Sequence, residues 1–167
     1  MTKIVTGLIT ALFFLGCSSQ EVAQVPVEPK LVVNKSLADL ELNNQLEVPT
    51  TIDADTKKVI FAFSKESGHN CNDFFATKSA SYLKENKAQF VADVSGAPSI
   101  IRSMFILPGL KDFRHNILII EDENIAAAYK TELNSEKIVV VYVDNKIITD
   151  IKYLNSVEEL EKNLANG

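Results

Sequence analysis

Four short apolar runs constrain this chain most: Val59–Phe63, Phe90–Val94, Asn116–Ile120 and Ile138–Val143. A run that is apolar at consecutive positions, rather than at alternate ones, suits a strand covered on both faces. The segments between the runs read as helices. Asn70–Asn86 carries Ala76, Ala80 and Leu83 at helical spacing, with Phe75 and Tyr82 on the same stripe and Lys78, Lys84 and Glu85 facing out. Pro98 suits the first turn of a second helix, whose apolar side is Ile100, Ile101, Met104, Phe105 and Leu107 until Pro108-Gly109. After the turn residues Asp122-Glu123-Asn124, the stretch Ile125–Tyr129 fits either a short helix or a strand. Ile138–Val143 and Ile147–Ile151 flank Asp144-Asn145, a two-residue hairpin signal. Ser156-Val157-Glu158-Glu159 is a capping box, followed by the stripe Val157, Leu160 and Leu164. Upstream, Leu37, Leu40, Leu42, Leu46 and Val48 suggest an extended, hairpin-like lead-in. The order is β-α-β-α-β, then a β-hairpin and a C-terminal helix. The expected fold is one α/β domain over residues 36–167, a mixed sheet flanked by helices.

The 167 residues allow one ordinary domain with an appendage. Two cysteines cannot staple a scaffold, and 17 basic against 22 acidic residues argue against sequence-independent nucleic-acid binding. The appendage is N-terminal. Met1-Thr2-Lys3, the apolar run Ile4–Gly16 and Cys17-Ser18-Ser19 form a signal-peptide pattern. The run is too short to span a bilayer, which takes roughly 20 residues as a helix. Its end, Phe14-Leu15-Gly16-Cys17, resembles the bacterial lipoprotein lipobox, which usually has Leu where Phe14 stands and a small residue where Leu15 stands. An ordinary signal peptide with a chance cysteine is the alternative. The resemblance implies that residues 1–16 are a signal peptide, that Cys17 carries the lipid, and that residues 17–35, with Pro26 and Pro29, form a lipidated tether. Ser18 in place of Asp resembles the outer-membrane sorting pattern of Gram-negative lipoproteins. The expected location is the bacterial cell envelope, on the outer membrane facing the periplasm.

The central βαβαβ with its closing hairpin and amphipathic helix resembles the thioredoxin-like fold. The local likeness lies in Lys137-Ile138-Val139-Val140-Val141-Tyr142-Val143-Asp144-Asn145-Lys146-Ile147 and in Ser156-Val157-Glu158-Glu159-Leu160. Peroxiredoxin and TlpA-type proteins close the domain with such a strand, Asp-bearing turn, strand and helix. Ile119–Tyr129 is similar to the segment before it, and Ile101-Arg102-Ser103 leading into both looks like the periplasmic YtfJ family. The likeness covers roughly residues 36–165. It also exposes two departures. The family places Cys-x-x-Cys at the start of the first central helix, where the dipole and free amides lower a thiol's pKa. Counting from Phe63, Gly68 falls at the attacking cysteine and Cys71 at the second. The family's proline before the penultimate strand has no counterpart in Asn134-Ser135-Glu136-Lys137. Dithiol exchange needs two sulfurs, and this domain has one.

Cys71, with His69 beside it, is the candidate catalytic thiol of a single-cysteine peroxidase or reductase; an inert, partly buried cysteine is the competing account. His69, Cys71 and His115, with Met104 as a further soft ligand, are candidate Cu(I) ligands, since Sco-type proteins of this fold carry copper on two cysteines and a distant histidine. Ser64, Ser67, Asp73 and His69 lack a Gly-x-Ser-x-Gly elbow, so Asn70, Asn72 and Asp73 read as helix-capping residues. Glu121-Asp122-Glu123 reads as a solvated turn. No nucleotide or flavin fingerprint is present, and no cofactor is expected. The resulting expectation is an envelope lipoprotein whose redox-degenerate domain serves in binding or assembly with an envelope protein or small ligand. The membrane is a partner through Cys17.

Overall fold

The computed structural model describes residues 27–165. A seven-stranded sheet has the order β2-β1-β5-β4-β3-β6-β7. The strands are β1 (Glu41–Asn44), β2 (Pro49–Thr51), β3 (Lys58–Ala62), β4 (Ala88–Asp93), β5 (Leu118–Ile120), β6 (Ile138–Asp144) and β7 (Ile147–Leu154). β3, β4 and β5 run parallel, while β6 pairs antiparallel with β3 and β1 antiparallel with β5. Three parallel neighbours therefore end together, at Ala62, Asp93 and Ile120.

The continuous apolar runs do what their composition predicts. Val59 and Phe61 on β3, with Phe63 just after it, enter one core with Leu37, Tyr129, Val139 and Val141. Ile60 and Ala62 enter a second core with Phe75, Phe90, Val140 and Leu160. Fully burying one such side chain is worth about 1.5–3 kcal/mol, so neither sheet face can be left bare. Helices α1 (Lys65–Ala76) and α6 (Val157–Ala165) cover the second core through Cys71, Phe75, Leu160 and Leu164. Helix α5 (Glu123–Tyr129) covers the first through Ala126, Ala128 and Tyr129.

Several local expectations shift. The single helix expected over Asn70–Asn86 is two: α1, which starts five residues earlier at Lys65, and the short α2 (Tyr82–Glu85). Ala76 and Ala80, placed on the apolar stripe, are exposed; the buried face of α1 is Ser67, Cys71, Asn72 and Phe75. The hairpin turn is displaced by one residue, because Asn145 and Lys146 are the two that adopt positive φ (46° and 67°). Ile125–Tyr129 is helical, started by Asp122, whose Oδ1 accepts the Asn124 amide at 2.7 Å.

The segment after β4 is helical from Ser99 to Leu110 with a π turn in its middle: α3 (Ser99–Ile101), the π turn Arg102–Ile106, and α4 (Leu107–Leu110). Pro108 accounts for it. Proline has no N–H to give to Met104 and its ring crowds that carbonyl, so the backbone widens and the Leu107 amide bonds Arg102 O instead. Residues 30–35, assigned to the tether, lie against the domain: the Lys30 amide bonds Ala128 O, the Asn34 amide bonds Ile148 O, and the Ile148 amide bonds Lys35 O.

Candidate functional site

The carboxyl ends of parallel strands are where α/β sheets place ligands, because helix N-termini and loops converge there. Here the loop from β3 into α1 is closed by Ser64 and Ser67. Ser64 is the N-cap: its Oγ accepts the Ser67 amide at 3.2 Å, and Ser67 Oγ accepts the Ser64 amide at 3.2 Å. The two hydroxyl oxygens lie 3.0 Å apart. This reciprocal cap satisfies two of the orphan amides of α1. It also corrects the register read from sequence: Gly68 and Cys71 lie inside the helix, and the residues at its tip, three apart, are both serines.

Around the tip, Lys130 Nζ donates to Phe63 O at 2.9 Å and stands 3.7 Å from Asp93 Oδ2. The buried Asp93 carboxylate accepts the Ser95 amide at 2.9 Å and its hydroxyl at 2.6 Å. Arg102 Nη1 gathers Ser95 O at 3.1 Å and Ala97 O at 3.2 Å, and its Nε lies 3.7 Å from Glu121. Before β6, buried Asn134 accepts the Thr131 amide at 2.7 Å and donates to Tyr129 O at 2.9 Å. Peptides are trans throughout the described residues. An amide side chain thus shapes the loop that thioredoxin-like proteins shape with proline. The polar groups at this end are spent on holding loops.

Cys71 is fully buried, with 0% exposure, in the second core beside Ile60, Ala62 and Phe75. Burial pushes its thiol up to about 12, so the nucleophilic thiolate is scarce at neutral pH. His69 is exposed on α1. Two residues along a helix are about 200° apart, so His69 and Cys71 point to opposite sides. His115 is buried behind α1, its Nε2 3.0 Å from Asn72 Oδ1 and its ring packed against Phe75, Phe90 and Phe113 at centroid distances of 5.4, 6.3 and 5.1 Å. Burial pushes His115 down to about 4, and its Nδ1 has no hydrogen-bond partner. Asn72, expected to cap, is therefore an internal helix residue that orients His115. Met104 faces solvent. Among the described residues no three His, Cys, Asp or Glu side chains gather as a metal site, and the copper set of His69, Cys71 and His115 is not brought together. Cys17 lies outside the described residues.

In the sequence Ser64 and Ser67 stand out only as hydroxyl groups, and nothing local marks Asp93, Lys130 or Asn134 as residues that hold this end of the sheet. The available signal was Ser-x-x-Ser directly after an apolar strand, a capping box with serine in the place of glutamate.

No protein-family model matches the chain, and no curated protein matches it. Solved structures do. A peroxiredoxin-like protein from Aquifex aeolicus aligns over 83% of this chain and 89% of its own, at 8% identity and a TM-score of 0.51. A Bacteroides thetaiotaomicron protein provisionally described as a protein disulfide isomerase aligns over 84% and 91%, at 14% identity and 0.52. Peroxiredoxin Q from Xanthomonas campestris aligns over 77% and 89%, at 11% identity and 0.51. At such identities the likeness is one of backbone architecture. The chain has a thioredoxin-like fold.

Proposed function

We propose that this protein is a lipid-anchored envelope protein whose thioredoxin-like domain acts in binding or assembly and performs no thiol chemistry. One observation carries the reading. The helix tip that presents sulfur in a dithiol enzyme presents Ser64 and Ser67, and Cys71 is sealed in the core. A serine pair cannot form a disulfide, and a fully buried thiol held far above neutrality cannot meet a substrate. The anchor rests on Phe14-Leu15-Gly16-Cys17, and the envelope location on that motif with Ser18. The sequence resemblance of residues 101–160 to TlpA-type and YtfJ proteins suits the same compartment. Two grooves that meet at Glu41 and Ile125 are open rather than enclosed, which favours another protein over an enclosed small ligand as the bound partner.

A palmitate analogue fed to cells tests the anchor: label on the wild type and none on Cys17→Ala is expected, and an unlabelled wild type removes it. Peroxide consumption and insulin-disulfide reduction test the domain, with neither expected above buffer. A single-cysteine peroxidase would instead consume peroxide and lose that activity in Cys71→Ser.

A further inference from the structure

Between Ala97 and Leu110 the chain has one charged residue, Arg102, and its guanidinium is turned inward onto the carbonyls of Ser95 and Ala97. The outward side of the same segment is Ile100, Ile101, Met104 and Phe105, each between 45% and 67% exposed. Their spacing puts all four on one helical face. The next turn, Ile106, Leu107 and Leu110, packs on the second core, so this face is surplus to the fold. It begins just past the carboxyl end of β4. Leu133, 65% exposed, lies in the loop that leads into β6 at the same end of the sheet, since Ile138 pairs with Ala62.

The chain enters the domain there as well. The Lys30 amide bonds Ala128 O, and Lys130, two residues on, reaches Phe63 O at the end of β3. From Cys17 to Lys30 a fully extended chain covers at most about 45 Å. A second copy is the poorer occupant: the four side chains offer on the order of 500 Å², below the roughly 800 Å² per partner of a stable interface. An outward face without charge matches the apolar boundary of a bilayer.

We propose that Ile100, Ile101, Met104 and Phe105 form a membrane-docking face that seats the domain on the bilayer to which Cys17 tethers it. This rests on the anchored reading for its geometry and is tested apart from it. The chain has no tryptophan, so Phe105→Trp is a single reporter, and Ile147→Trp, on the hairpin at the opposite end of the sheet, is its control. Both full-length variants are reconstituted in phosphatidylethanolamine–phosphatidylglycerol vesicles containing spin-labelled lipid. Phe105→Trp should shift to shorter wavelength and be quenched about threefold or more above Ile147→Trp, as a side chain held roughly 5–10 Å into the interface would be. Quenching no greater than in Ile147→Trp, on vesicles that carry the chain, overturns the docking and leaves the anchor standing. A blue shift without vesicles that grows with protein concentration also overturns it, in favour of a second copy. Quenching in a chain that takes up no palmitate supports the docking and removes the anchor.

Discussion

Ser64 and Ser67 hold each other across the first turn of α1: each side-chain oxygen accepts the other residue's amide, and the two oxygens lie 3.0 Å apart. The same three-residue spacing brings paired cysteines together in dithiol enzymes of this fold. Here the pair stabilises the helix start. Replacing Ser64 with Ala removes the N-cap acceptor and should lower unfolding free energy by about 1 kcal/mol, read from urea midpoints. Gly at 64 should cost only a few tenths.

If the helix tip retains dithiol geometry, sulfur should work there. The double variant Ser64→Cys, Ser67→Cys is expected to form an intramolecular disulfide, because neighbouring Cβ atoms at an N-cap and the third helical position suit its short span. In a Cys17→Ser background, thiol titration of the unfolded, unreduced variant should then find only Cys71, and two further thiols should appear after reduction. Three free thiols after mild oxidation would contradict the geometry.

His115 should make stability depend on acid. Its folded pKa is pushed down to about 4 from an ordinary value near 6.5. Between those values the unfolded chain binds a proton that the folded chain refuses, so stability falls as pH drops from about 6.5 to 4, by at most roughly 3 kcal/mol. Above that window the contribution is constant. His115→Gln, which can still meet Asn72, should show a shallower loss between pH 7 and pH 4.5 in urea unfolding. An identical pH dependence in both proteins would place the effect elsewhere.

Asn134 bonds the Thr131 amide and Tyr129 O. Asn134→Ala leaves both without that partner, so a loss of about 1–3 kcal/mol is expected. The loop 130–137 should show the largest rise in amide exchange.

The sheet was legible because each central strand is short, rich in β-branched and aromatic residues and apolar at consecutive positions, as suits a doubly covered strand. The C-terminal helix was legible from its local capping residues: Ser156 Oγ accepts the Glu159 amide, and the Glu159 carboxylate accepts the Asn155 amide. The start of α1 was not. Its buried face includes Ser67 and Asn72, which look polar to a hydrophobic-stripe argument. Asn72 is buried because His115, 43 residues away, meets it, and no periodicity carries such a pairing. A helix expected from Asn70 leaves Ser64 and Ser67 in a loop, whereas α1 begins at Lys65 with Ser64 as its cap.

On the proposed reading Cys71 takes no part in chemistry, and its alkylation rate in the folded protein measures this directly. Core packing and a thiol pushed up to about 12 predict that iodoacetamide leaves Cys71 untouched in buffer while modifying it fully in urea, with modification tracking global unfolding. Native-state alkylation as fast as that of a free thiol, or rapid sulfenic-acid formation with peroxide that Cys71→Ser abolishes, would contradict the account.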